Sequence, residues 1–216
     1  MNNYSLSLNK LTKSFGRRLI FKDLDAEFLS GNIYGFAGSN GSGKSTLAQI
    51  VAGIISPTSG EVIHKKNNSV IHSDNIHQHL GFVSPYLILY DEFSAEENLF
   101  HSLKIRGLKQ NAETMDSLFN EFDLYDRKKD LLKGYSSGMK QRIKFIFALI
   151  HNPDILIFDE PTSNLDTKGK DSVYKIINSE SKNKLVILAS NEESDLSLCS
   201  STIHVEEFKN IAAGVK

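Results

Sequence analysis

The sequence predicts an α/β fold: a mixed, largely parallel sheet flanked by helices, with antiparallel β strands at the N-terminus and a helical insertion in the middle. Three observations carry that prediction. A strand-like run, Asn32 to Ala37, enters the glycine-rich loop Gly38 to Ser45 and leaves as the helix-like run Thr46 to Val51. Ile155-Leu156-Ile157-Phe158 and Leu185-Val186-Ile187-Leu188-Ala189 are apolar without alternation, as strands covered on both faces must be. In the middle third the apolar residues switch to helical spacing. Strands alternating with helices around such a loop build a parallel sheet.

In chain order, Tyr4 to Asn9 alternates polar and apolar residues and reads as a half-buried strand. A second strand ends near Phe15, followed by a turn at Gly16-Arg17-Arg18. After the glycine-rich loop and its helix, Pro57-Thr58-Ser59-Gly60 is a stop signal. Gly81-Phe82-Val83 is a short buried strand. Ser94 and Glu97 form a capping box, and the helix they start runs through Leu99, Phe100 and Leu103 to Gly107. Met115, Leu118, Phe119 and Phe122 mark a second helix over Asn111 to Phe122. Phe145 to Ile150, bracketed by Lys144 and His151, is a buried helix segment, too short to span a bilayer. A helix over Asp171 to Ser179, the strand Leu185 to Ala189 and the strand Thr202 to Val205 complete the alternation. One domain over 1–216 accounts for the chain: a strand-rich part at 1–85, a helical part at 86–145 and the rest of the core at 146–216.

Composition excludes several classes. With 40% hydrophobic and 24% charged residues the chain is an ordinary globular sequence. A net charge of −1 supplies no basic field, so no nucleic acid is expected as a partner. The single cysteine, Cys199, rules out an intrachain disulfide and suits a reducing compartment. The first residues lack the basic and apolar regions of a signal peptide, and no run reaches membrane-spanning length. A soluble, intracellular protein is expected.

The chemistry is concentrated in two places. Gly38-Ser39-Asn40-Gly41-Ser42-Gly43-Lys44-Ser45 spells G-x-x-x-x-G-K-S in the strand–loop–helix setting that a phosphate-binding P-loop requires. The glycines let successive N–H groups converge on phosphate oxygens, and the helix start adds unpaired donors. Lys44 is placed to neutralise β- and γ-phosphates, and the Ser45 hydroxyl to ligate Mg²⁺. Asp159 follows the apolar strand, where a carboxylate beside a P-loop holds Mg²⁺ through its water shell. Glu160 adds a base able to orient and deprotonate a water attacking the γ-phosphate. The three histidines His72, His77 and His79 lack the carboxylate or thiol companions of a zinc site.

These residues, followed in order by Tyr135-Ser136-Ser137-Gly138-Met139 and Ser163-Asn164-Leu165-Asp166, resemble the nucleotide-binding domain of ATP-binding cassette (ABC) transporters, of the compact exporter-like type. The resemblance implies a P-loop NTPase core with ATP and Mg²⁺ as ligands. It further implies a head-to-tail homodimer, or a heterodimer with another ABC ATPase. In that dimer Ser136 and Gly138, standing for the family's Leu-Ser-Gly-Gly-Gln signature, would complete the partner's site. Read without the family, Ser136-Ser137-Gly138 is a helix cap. Phe15 stands where the family stacks an aromatic ring on adenine, with core packing as the competing role. Thr46 stands where the α-phosphate is contacted. The partners implied are separately encoded integral membrane subunits, placing the chain on the cytoplasmic face of a membrane. Tyr86 to Phe93 and the helix at Ser94 are the expected coupling surface, or else pack under the insertion.

Two positions depart from the family's pattern. Pro85 stands where a glutamine reaches metal and water, and Asn191 stands where a histidine contacts the γ-phosphate. Proline offers no side-chain donor, and an asparagine amide cannot carry charge. Slow hydrolysis with Glu160, Lys44 and Asn191 as the catalytic set is the expectation. A soluble ATP-dependent switch acting on a non-transport partner is the alternative.

Overall fold

The computed structural model describes residues 3–209. Met1 and Asn2, where the stretch read for a signal peptide begins, lie outside them.

β1 (Tyr4–Phe15) and β2 (Arg18–Leu29) form a long antiparallel hairpin. The alternation of 4–9 predicts a strand ending at Asn9, but β1 runs on through a bulge at Lys10, whose φ is 46°. The displaced Lys10 N–H donates to Asp25 Oδ1 at 2.7 Å, so the bulge leaves no amide unsatisfied. β2 is not announced by its sequence, because its buried positions, Ile20, Phe21, Leu24 and Phe28, fall one, three and four apart. β3 (Ile33–Ala37) and α1 (Lys44–Val51) flank the glycine-rich loop, as predicted. α1 has ended before the stop signal at 57–60, whose last two residues already begin β4 (Ser59–Lys66), followed by β5 (Ser69–Val70). Gly60 lies against β1 so closely that a Cβ there would meet the Lys10 carbonyl oxygen at 2.3 Å.

α2 (Ile76–His79) leads into β6 (Leu80–Val83), and then come the helices α3 (Ala95–Ile105) and α4 (Ala112–Glu121). The capping box is present on both sides: Glu97 N–H donates to Ser94 Oγ at 3.1 Å and Ser94 N–H to Glu97 Oε2 at 2.7 Å. α5 (Ser137–Leu149) continues through residue 145 without a break. β7 (Ile155–Asp159) precedes α6 (Thr167–Glu180), which starts a turn before the predicted Asp171 because the Asp166 carboxylate caps it, accepting from Gly169 N–H at 2.8 Å. β8 (Leu185–Ala189), α7 (Glu193–Leu196) and β9 (Ser201–His204) follow.

Two sheets result. The first is antiparallel with order β2-β1-β4-β5, the second parallel with order β6-β7-β8-β3-β9. α1 is buried between them, with Leu47, Ile50 and Val51 meeting Leu6, Leu11 and Phe21 on one side and Ile155, Ile157 and Ile187 on the other. The opposite face of the parallel sheet, Leu156, Phe158, Val186 and Leu188, packs on α3 to α6 through Leu99, Phe119, Phe145 and Ile177. That two-sided burial is why β7 and β8 are apolar at every core position.

One buried contact makes stability depend on pH. His64 Nε2–H donates to Val51 O at 3.0 Å, while Nδ1 accepts from Tyr4 OH at 2.6 Å, so the ring is neutral. Burial lowers its pKa to about 4, and burial lowers that of His151 to about 4 as well. The unfolded chain takes up these protons near its ordinary histidine pKa, whereas the folded chain does not. Stability is therefore full above about pH 6.5 and falls as pH drops toward about 4, by roughly 3 kcal/mol for His64. Urea unfolding between pH 7 and 4.5 should show this slope, and His64→Gln should roughly halve it.

Candidate active site

The glycine-rich loop is shaped from below. Gly43 has φ 115°, and a Cβ there would lie 2.5 Å from Ile20 Cγ2 of β2. Gly38 has φ 142°, and a Cβ there would lie 2.6 Å from Ser42 Oγ. Both positions therefore exclude side chains. No side chain caps α1, which leaves its first N–H groups facing the loop's concavity.

Lys44 is buried, and its Nζ donates to the loop carbonyls of Gly38 at 2.9 Å and Ser39 at 3.0 Å. Burial lowers its pKa, opposed by the negative charges of Glu160, Asp159 and Glu206. Ser45 Oγ donates to Asp159 Oδ1 at 3.0 Å, joining the P-loop to the end of β7. Asp159 is fully buried, and its second oxygen, Oδ2, has no partner. Burial pushes this carboxyl up to about 6, the Ser45 hydrogen bond opposing and the Glu160 charge adding. A hydroxyl and a buried, unpartnered carboxylate oxygen are hard donors that suit a divalent cation such as Mg²⁺. Glu160 holds φ 50°, and its N–H donates to Ala189 O at 2.9 Å, which ties the β7 end to β8.

A cavity of about 450 Å³ collects most of the predicted site. Phe15, Asn40, Gly41, Gly43, Lys44, Ser45, Thr46 and Glu160 line it, and Asp159 joins through Ser45. Phe15 is half exposed, so its ring faces the cavity mouth and is no core residue; Lys13 Nζ sits 4.6 Å from the ring centre. Gly38, Ser39 and Ser42 shape the loop without lining that cavity; Ser42 Oγ is buried and unpartnered. Arg18, Ile20 and Tyr86 also line it and carry no motif in the sequence. Tyr86 arrives because β6 pairs with β7, setting the residues after Val83 beside the β7 end.

Three predicted residues lie elsewhere. Ser136 caps α5, accepting from Met139 N–H at 3.2 Å, and with Gly138 lines a separate cavity alongside Arg142, Asn164 and Lys168. Asn191 is exposed and does not line the P-loop cavity. Its neighbour Ser190 is anchored, Oγ donating to buried Asp195 Oδ2 at 2.6 Å. Pro85 brings no side-chain donor, but the carbonyls of Ser84 and Pro85 each accept from Lys144 Nζ at 3.1 Å, fixing that loop to α5. Among the histidines, His79 Nδ1 meets Asp154 Oδ2 at 2.6 Å. Among the described residues, no group of three or more His, Cys, Asp and Glu forms a metal site.

Known proteins share this arrangement. Residues 21–163 match the sequence profile of the family described as ABC transporter. The bacitracin transport ATP-binding protein BcrA of Bacillus licheniformis is 35% identical over 179 residues, covering 82% of this chain but 58% of that protein. The lipoprotein-releasing system ATP-binding protein LolD of Leptospira interrogans is 30% identical, covering 99% of this chain and 97% of that one. The lantibiotic transport ATP-binding protein SrtF of Streptococcus pyogenes is 31% identical over 94% of this chain. A solved ABC transporter ATP-binding protein from Pyrococcus furiosus superposes with TM-score 0.81 at 25% identity, covering 94% of this chain and 98% of its own. The P-loop between the two sheets, the acidic end of β7 and the helical insertion thus have one common origin, and the chain belongs to the ATP-binding domains of the ABC transporter family.

Proposed function

We propose that this chain binds ATP with Mg²⁺ in the P-loop cavity and hydrolyses it slowly, as the ATPase subunit of a transporter whose membrane-spanning subunits are separate. The observation that carries this reading is the convergence of Lys44, Ser45 and Glu160 on one cavity, with Asp159 bonded to Ser45. Phosphates would lie over the loop N–H groups and draw Lys44 Nζ off the Gly38 and Ser39 carbonyls. Adenine would rest against Phe15. Ser45 and Asp159 would hold Mg²⁺, which would supply charge neutralisation at the phosphates. Glu160 orients a water on the far side of the γ-phosphorus. The water oxygen bonds to phosphorus, the bond to the β-bridging oxygen breaks, and the water's proton passes to the Glu160 carboxylate.

The site lacks a charged donor where Asn191 stands and a side-chain amide where Pro85 stands, which supports slow turnover. Asn191 lies outside the P-loop cavity, so its role requires its segment to close onto bound nucleotide. With that closure Asn191→His should raise kcat about tenfold, with KM nearly unchanged, since it adds a donor used mainly in the transition state. Steady-state phosphate release by the purified protein would check it; an unchanged or lower kcat would remove the slow-site reading.

Ser136 and Gly138, at an α5 start outside the Lys44 cavity, are proposed to close the site of a second ABC subunit, giving a head-to-tail dimer. The coupling surface is proposed at the exposed apolar residues Tyr86, Ile88, Tyr90 and Ile105 beside a groove lined by Leu89, Arg106 and Phe147. No helix among the described residues is long and apolar enough to cross a membrane. The relatives are named for bacitracin transport, lantibiotic transport and lipoprotein release, which supports transport over the switch reading; the cytoplasmic face of a membrane is proposed with it.

A further inference from the structure

A feature at the other end of the chain grips the P-loop. After β9 the backbone enters a 3₁₀ turn, Val205–Lys209. Val205 is fully buried beneath the loop, where a Cβ on Gly43 would come 3.4 Å from its Cγ1. The next residue, Glu206, accepts the Ser39 N–H at 2.6 Å through Oε1, and the Ser39 hydroxyl donates to the same oxygen. Those two hydrogen bonds hold the Glu206 carboxyl below the usual glutamate range. At the end of the turn Lys209 Nζ reaches Gly41 O at 3.4 Å. Ser39 and Glu206 are 167 positions apart, and nothing in either segment's sequence pairs them.

From these contacts the structure assigns Glu206 as a positioning residue for nucleotide binding: its carboxylate fixes the first bend of the P-loop through Ser39. This rests on the ATP reading above and adds a determinant outside the motif. Gly38 and Ser39 supply the carbonyls that hold Lys44 Nζ, so Ser39's position sets where the lysine waits. The carboxylate takes up the Ser39 N–H, leaving the later loop amides and the α1 start for phosphate. Glu206 acts on the bound geometry and does not touch reacting atoms. Its loss should therefore alter KM with little change in kcat.

The alternative is that Glu206 acts as a bare negative charge beside the phosphates, in which case its removal would tighten ATP binding. Glu206→Ala, Glu206→Gln and Ser39→Ala separate the two. Fluorescent-ATP titration and steady-state turnover are read together with amide hydrogen exchange over residues 38–43 in nucleotide-free protein. Glu206→Ala is expected to raise Kd and KM about fivefold, to leave kcat within about twofold, and to speed exchange across the loop. Glu206→Gln keeps an acceptor oxygen and should return all three to within about twofold of the parent. Ser39→Ala, which keeps the N–H, should give a smaller effect of the same sign. Tighter binding in both Glu206 variants, or no change in Glu206→Ala, would overturn the assignment. A parent protein that binds no nucleotide would instead overturn the ATP reading, and the exchange data would still decide whether Glu206 holds the loop.

Discussion

Lys44→Ala is expected to weaken ATP binding and lower turnover by at least about a hundredfold, since a buried ammonium on phosphate supplies hydrogen bonds of about 1.5–3 kcal/mol each. The lysine is already in place without ligand, its Nζ on two carbonyls of the loop it serves. Ligand binding then exchanges those neutral acceptors for charged ones, with little side-chain ordering left to lose. Gly38 is part-exposed and Ser39 exposed, so the two carbonyls freed by the substitution can take water and the fold should survive. Isothermal titration with ATP and Mg²⁺, beside a thermal unfolding curve, separates these effects. Near-parental affinity in a folded Lys44→Ala variant would refute phosphate binding at this loop.

Glu160→Gln should show the opposite division. The amide fits the same backbone, whose φ of 50° and N–H bond to Ala189 O do not depend on the side-chain charge. Nucleotide affinity should hold or rise, because one negative charge leaves a site that binds phosphates. Turnover should fall by about a hundredfold to ten-thousandfold, the range for losing a general base. A loaded but inactive variant should also accumulate as the head-to-tail dimer, visible by size-exclusion chromatography with light scattering. Parental turnover would take the base assignment away from Glu160. A variant that stays monomeric with ATP would remove the dimer.

Much of the site can be read before any coordinates are known, and the reason is chemical locality. The anion site proposed at Gly38 to Ser45 rests on consecutive backbone amides, so eight adjacent letters describe it. Asp159 and Glu160 are legible because the apolar strand before them has no alternation, which marks burial on both faces. The Ser94 and Glu97 capping box is likewise closed within one helical turn.

Other parts needed the chain to fold. β1 and β2 pair with a bulge at Lys10 and irregular register, and this breaks the alternation by which a strand announces itself. Phe15 could belong to the core or to the nucleotide until the sheets set it at the cavity mouth. Tyr86 enters the cavity through strand pairing, and Glu206 reaches Ser39 across 167 positions. The sequence by itself determined the α/β class, the P-loop, the acidic strand end and the family, since each motif is local and the class and family need only the order of such motifs along the chain. The tertiary structure alone decided which side chains surround the loop, that Asn191 stands clear of it, and what grips it from below. Those contacts arise from sheet order and packing between distant segments, and no local residue pattern encodes a distance across a core.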